Sequence, residues 1–180
     1  DFISSFSDSG FYHTLSYGVS FDTTFHERPS NSQILDWNGL TQKDAKPFAS
    51  ARSYVFAAHL RDVIEVDRWT ITAGARFDIH QITPDSDGTI EGYKLSDKTT
   101  GEFSPSLSLA YQVTDSLNAY FSYNHGFRAP TYDKIYGYQN HDFVPITPFE
   151  IVPNEDLDKE TSDSFESVSY THLTLPTTPV

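Results

Sequence analysis

The chain has 180 residues and a formal net charge of −13, with 37% hydrophobic and 21% charged residues. This balance excludes a disordered chain of low hydrophobicity, and the negative charge argues against nucleic acid as a partner. No apolar run approaches the roughly 20 residues of a membrane helix, and the absence of cysteine excludes disulfides and thiolate catalysis.

The alternation of apolar and polar residues predicts antiparallel strands, and no segment has helical periodicity. The mean hydropathy of −0.46 does not decide between a soluble sheet and a membrane barrel, because both kinds of strand alternate. The pattern has no exception from Trp69 to His80. In chain order, the predicted strands are Leu15–Phe25, Tyr54–Ile64, Trp69–His80, Phe103–Val113 and Leu117–Tyr123.

Short and long connections alternate between these strands. Residues 65–67 and 114–116 form short turns, whereas residues 26–51, 82–101 and 127–159 form long loops. Loops of this length exceed the ~12 to 15 residues usual in compact soluble domains. Short periplasmic turns at one end and long extracellular loops at the other are typical of a bacterial outer-membrane barrel.

A soluble antiparallel sandwich is the alternative fold, since its strands alternate as well. It does not account for the long loops, and Ser104, Ser106 and Ser108 suit a water-filled lumen better than a charged soluble surface. We therefore predict an all-β fold, an antiparallel transmembrane β-barrel. The alternation divides the residues of these strands into a lipid-facing set and a lumen-facing set. The charged residues belong to the lumen-facing set, because a charge at mid-bilayer on the lipid face costs ~2 to 4 kcal/mol. The first set is Trp69, Ile71, Phe77, Leu107, Leu109 and Phe121, and the second is His59, Arg61, Arg76, Asp78 and His80.

Two motifs flank the longest loop. Residues Gly126–Pro130 follow the fifth strand, and Pro153–Leu157 precede a run, Glu160–Ser162, that enters the next strand. Pro130 ends its strand because it has no amide donor. The pair resembles a motif pair of the TonB-dependent outer-membrane receptors, most closely the haem and haemoglobin receptors, and the resemblance covers the chain up to about Glu166. The motif residues are Phe127, Arg128, Ala129, Pro130, Pro153, Asn154 and Leu157.

The resemblance implies a fold, a location and a function. The fold is a barrel of 22 strands, of which this chain would supply about six, with the plug domain of the family outside this chain. The location is the outer membrane of a Gram-negative bacterium, with outer-membrane lipid around the barrel. The function is active uptake of haem or haemoglobin iron, driven by the TonB complex through the plug. Haem is then the transported ligand and not a catalytic cofactor, and we expect no enzyme.

Site residues also follow from the resemblance. In haem receptors of this family a histidine between the two motifs is an axial ligand of the haem iron, and His141 is the only histidine between Pro130 and Pro153. Neutral imidazole is a good iron ligand, although a loop histidine is also compatible with a solvated surface. Tyr136 and Tyr138 could stack on the porphyrin or offer a phenolate, although tyrosines are ordinary in barrel loops.

Arg128 is expected at the rim of the barrel, where two roles are open. Its guanidinium could clamp carboxylates of neighbouring loops, or it could contact the ligand.

Residues 1–167 are predicted to form the partial barrel, and residues 168–180 a non-native tail. The alternation changes phase after Phe165, and Pro176 and Pro179 stand where a strand needs donors. This tail resembles translated adapter read-through. The chain has no Met, so we expect an internal piece of a longer protein. Two other functions remain open: a ferric-siderophore or cobalamin receptor with the same barrel, and a soluble or surface-anchored β-rich binding module.

Overall fold

The structure is a computed structural model that describes residues 1–27, 49–85, 89–90, 92–140 and 149–171. Most of these residues form antiparallel strands, which confirms the predicted all-β class. The elements are β1 (Phe2–Asp8), β2 (Phe11–His26), β3 (Ala51–Val66), β4 (Trp69–Pro84), β5 (Thr89–Ile90), β6 (Tyr93–Lys94), β7 (Lys98–Thr114), β8 (Leu117–Arg128), α1 (Tyr132–Tyr136), β9 (Gln139–Asn140), β10 (Glu150–Ile151) and β11 (Glu160–Thr171). The single helix in these ranges is far too short and polar to cross a membrane.

One large sheet contains the seven long strands, in the order β1-β2-β3-β4-β7-β8-β11. Three two-residue turns close its hairpins at one end, at residues 9–10, 67–68 and 115–116, while the long connections leave from the other end. Ser9 and Gly10 have φ of 50° and 90°, the left-handed conformation that a two-residue hairpin turn requires. The predicted alternation of short turns and long loops is therefore present.

The sheet differs from the sequence prediction in two details. It has seven strands and not six, because β1 also pairs with β2. This strand is short, and only Phe2 and Phe6 mark its apolar side, so its alternation was too weak to predict it. The long strands also exceed the length of about 10 residues that was expected for membrane-spanning strands. They contain 12 to 17 residues each in β2, β3, β4, β7, β8 and β11.

The two faces of the sheet separate as the alternation predicts. Strand β4 pairs with β3 and β7 in unbroken register, so residues an odd number apart, such as Trp69 and Arg76, lie on opposite faces. The face with Trp69 carries large apolar side chains that remain exposed, including Val19 at 70% and Phe103 at 55%. A sandwich would bury such a face under a second sheet, whereas within the described ranges no second layer covers it.

One polar pair interrupts the apolar face. His13 and Asp62 lie on neighbouring strands, with His13 Nδ1 2.8 Å from Asp62 Oδ2, and the ring of Phe6 stacks on His13 at 4.8 Å. The other carboxylate oxygen, Oδ1, is buried and has no hydrogen-bond partner among the described residues. Asp62 therefore depends on His13 for its stabilisation on this face.

Removing only one partner of this pair should destabilise the sheet. We expect His13→Ala to lower the free energy of unfolding by about 1 to 3 kcal/mol, less than for a fully buried pair because both side chains keep about a fifth of their exposure. The double variant His13→Leu with Asp62→Leu should recover most of that loss, since it leaves no unpaired charge. Guanidinium unfolding of the full-length protein in lipid vesicles measures both. Equal losses in the two variants would contradict the role of the pair.

The buried core, which we call the rim core, lies at the loop end of the sheet. It consists of apolar side chains from strand ends and loops: Ala49, Ala51, Ile82, Leu95, Ile135 and Tyr136. Ala51 and Ile82 belong to the polar face of β3 and β4, because Ile82 is two residues from His80 on an unbroken strand. Helix α1, which contributes Ile135 and Tyr136, therefore folds back over the polar face at its rim.

The last strand, β11, continues to Thr171 and pairs with β8 along its whole length. It extends past residue 168, where the sequence predicts the start of a non-native tail, and residues 172–180 lie outside the described residues. The boundary at 168 stays a prediction.

Candidate functional site

The first motif turns the chain from β8 into α1. The strand ends at Arg128, and after Pro130 the amides of Lys134 and Ile135 donate to the carbonyl oxygen of Thr131, at 3.0 and 3.1 Å. Thr131 makes no side-chain cap hydrogen bond, so the five-residue helix has little intrinsic stability. Packing of Ile135 against the sheet rim supplies the stability that the helix lacks.

Tyr136 is completely buried in the rim core. Its hydroxyl donates to the carbonyl oxygen of Ser96 at 2.6 Å. Burial, together with the nearby carboxylates of Glu155 and Asp97, raises the pKa of Tyr136 from 10.0 to about 12. The phenol is therefore protonated at neutral pH and cannot serve as a phenolate in this arrangement. The proposed haem contact of Tyr136 is corrected here: its ring has no exposed surface and packs the loop onto the sheet.

The second motif closes over the first. The amide of Asn154 donates to the carbonyl oxygen of Ile135 at 2.8 Å, and Leu157 packs on the rim core. The carboxylate of Glu155 accepts the amide of Ser96 at 2.6 Å and also the hydroxyl of the same residue. Lys98 Nζ donates to the carbonyl oxygen of Glu155 at 2.8 Å. The first motif with the helix that follows it and the second motif thus form one packed unit, which we call the joint. Their contact explains why the two motifs occur together.

A cluster of charges fixes the point at which the chain returns to the sheet. Lys159 Nζ lies 2.6 Å from Glu102 Oε2, and His125 Nδ1 lies 2.9 Å from Asp163 Oδ1. The hydroxyl of Tyr123 donates to the same oxygen of Asp163 at 2.9 Å. These contacts join β7, β8 and β11 immediately below the second motif.

Within the long loop, β9 and β10 pair to form a short two-stranded stem. Gln139 and Asn140 pair with Ile151 and Glu150, so the chain is brought together on both sides of the segment that contains His141. His141 itself lies outside the described residues. Tyr138, beside the stem, is half-buried, and its ring centroid lies 6.0 Å from that of Tyr93.

A cavity of about 1000 Å³ lies on the polar face beneath α1, and we call it the inner-wall pocket. His26 Nε2 is 2.8 Å from Ser53 Oγ, and its ring stacks on Tyr132 at 4.5 Å. His80 meets the ring of Phe127 edge-on at 5.6 Å. The lining residues used below are His26, His80, Lys98, Phe127, Arg128 and Tyr132.

Arg128 lines this pocket and is exposed. No ion pair or hydrogen bond of its guanidinium is found within the parts of the chain that the structure describes. The clamping of neighbouring carboxylates therefore has no support from those residues, and Arg128 is placed beside the pocket.

The sequence did not indicate two residues of the site. His26 ends β2 and has no motif around it, so nothing distinguished it from other loop-end histidines. Ser96 connects both halves of the joint: its amide and hydroxyl donate to Glu155, and its carbonyl oxygen accepts from Tyr136. Backbone contacts of this kind leave no sequence signal.

Comparison with known proteins agrees with this arrangement. Residues 2–167 match the family described as TonB dependent receptor-like, beta-barrel. The chain is also 29% identical over 161 residues to the TonB-dependent heme receptor A of Haemophilus ducreyi, an alignment that covers 82% of this chain and 21% of the relative. The chain thus spans about a fifth of the length of that relative. With the antiparallel sheet, its exposed apolar face and the joined motifs, the family match shows that the chain belongs to the TonB-dependent receptor-like β-barrel family.

Proposed function

We propose that this chain is part of the barrel wall of an outer-membrane receptor that takes up haem iron into a Gram-negative bacterium. Receptors of this family transport ligands and are not enzymes, in line with the expectation from the sequence. Energy would come from the TonB complex, acting through the plug domain of the receptor. The similarity to a heme receptor over 82% of the chain is the observation that carries the choice of haem.

The chemistry of the two faces supports a place in the membrane. The apolar face exposes Val19, Phe21, Leu60 and Phe103, which lipid chains would cover at no cost in hydrogen bonding. The polar face carries the ion pair between Arg76 and Asp78, at 2.8 Å, which a wet lumen can accommodate. We assign the three short turns to the periplasm and the rim core to the extracellular side.

His141 remains our proposed axial ligand of the haem iron. The pairing of Asn140 with Glu150 supports it, because the two strands of this stem, which flank the segment with His141 in the chain, are connected to the joint at the rim of the sheet. Tyr138 is the remaining aromatic contact candidate, since its half-buried ring is beside the same stem. Imidazole provides the iron with a nitrogen ligand in its neutral form.

Growth on haem tests the proposed function. A strain lacking its own haem receptors and carrying the complete receptor gene should grow with haemin as its sole iron source, and the growth should disappear when TonB is removed. Fractionation should recover the protein in the outer membrane. Growth on a ferric siderophore and not on haemin would favour the siderophore alternative, and recovery in the soluble periplasm would favour a binding module.

A further inference from the structure

The inner-wall pocket holds two histidines at different depths. His26 pairs with Ala51, which pairs with Pro84, while His80 lies four residues further along β4 from the rim. At about 3.3 Å per residue, the backbone of His80 lies about 13 Å further along the strands from the rim than that of His26. The pocket therefore presents imidazole groups at its mouth and in its interior.

The two imidazoles differ in their surroundings. His26 is held in place by Ser53 and by its stacking on Tyr132. His80 makes an edge contact with Phe127, but among the described residues no hydrogen bond to its ring nitrogens is found. The nearest carboxylate along its strand, Asp78, is occupied by Arg76, which donates to it through Nε and Nη2 at 2.8 to 3.0 Å. The lone pair of His80 is thus left for a ligand.

The rest of the pocket suits a flat, partly anionic ligand. Phe127 and Tyr132 provide aromatic surface, and the guanidinium of Arg128 is available to carboxylates. Lys98 adds a positive charge, although its Nζ also donates to the carbonyl oxygen of Glu155. Its volume, about 1000 Å³, is at the upper end of the range of small-molecule sites. An iron porphyrin has all three matching features: a planar ring, carboxylates and a metal with an open axial position.

We propose that His80 is an axial iron ligand at a second haem position, on the inner wall of the barrel below α1. This inference rests on the proposed uptake of haem and places a second site on the sheet, apart from the loop segment that contains His141. Transfer would be a ligand exchange: a bond from the iron to His80 forms as the bond to the earlier ligand breaks. No electron moves, and the neutral imidazole releases no proton.

Haemin titration of the purified complete receptor tests the proposal. We expect His141→Ala to retain a weaker complex with a Soret band, and His80→Ala added to it to reduce haemin affinity by at least about tenfold more, as for lost metal-binding groups. Free imidazole should restore the Soret band of the double variant, which a purely structural role of His80 would not allow. The matched control is His59→Ala, a histidine of the same face that lies 3.5 Å from Asp1, and it should bind like the parent.

The remaining outcomes distinguish failure of the His80 inference from failure of the proposed haem uptake. If the double variant titrates like His141→Ala, or if imidazole restores nothing, His80 is not an iron ligand and the inference fails while haem uptake stands. If the unsubstituted receptor shows no Soret change with haemin, the proposed function itself fails. The heat-dependent gel mobility of a folded barrel should be the same for every variant, and a variant that loses it through misfolding is replaced by His80→Gln, which keeps a polar side chain but binds iron poorly.

Discussion

His141→Ala is expected to abolish growth on haemin at limiting concentration and to shift the Soret band of the haem-loaded receptor. The change removes the nitrogen ligand that we propose for the iron at the extracellular loop, and loss of such a group lowers affinity by at least about tenfold. Growth curves over a haemin dilution series and absorption spectra of the purified complete receptor measure the two effects.

The control for this experiment is His59→Ala, which removes a histidine from the lumen-facing wall and should leave growth and spectrum unchanged. If His141→Ala has no effect on either measurement, Tyr138 becomes the better loop candidate. A siderophore ligand would then have equal weight.

Tyr136→Ala is expected to unfold the joint between the two motifs while leaving the barrel folded. Loss of a fully buried aromatic side chain costs about 3 to 5 kcal/mol, and here the cost is concentrated in a small rim core. Hydrogen exchange should therefore increase in residues 132–138 and 153–157 but not in the paired strands. Haem affinity should decrease as well, because the stem that immediately precedes His141 in the chain loses its anchor.

Tyr136→Phe separates packing from ligation. It keeps the ring and removes only the hydroxyl that donates to Ser96, so we expect a cost of about 0.5 to 1.5 kcal/mol for the lost hydrogen bond and a normal Soret band. A lost Soret band with unchanged hydrogen exchange would show that the phenol contacts iron. The raised pKa of Tyr136 gives the pH dependence: the hydrogen bond is fully present below pH 10 and is lost as the pH rises through about 12.

The strands could be predicted from sequence because each face has its own chemistry. From Trp69 to His80 the alternation is complete, and β4 begins at Trp69, as predicted. Its end at Pro84 was missed, because Ile82 is an apolar residue on the polar face, where it packs in the rim core, and it breaks the alternation. Strand β1 was missed since it adds only two aromatic residues to the apolar face.

The joint was foreseen only as a pair of motifs. Helix α1 is a single turn with no capping side chain, so no periodicity could predict it, and it exists because Ile135 and Tyr136 have a rim to pack against. A loop tyrosine that is buried and one beside a ligand are identical in sequence, which is why Tyr136 and Tyr138 were grouped together. What distinguishes them is contact with Ser96, a residue 40 positions away.

The length of β3 and β4 determines how far the wall of a membrane barrel would extend beyond the lipid. Sixteen residues at about 3.3 Å extend some 50 Å, and a tilt of about 40° reduces this to a height of roughly 40 Å. The apolar band of such a barrel is only about 25 Å tall, so roughly 15 Å of wall would stand above the lipid. The entrance to such a barrel would then stand above the lipid headgroups. A large carrier protein could release its ligand there without contacting the membrane surface.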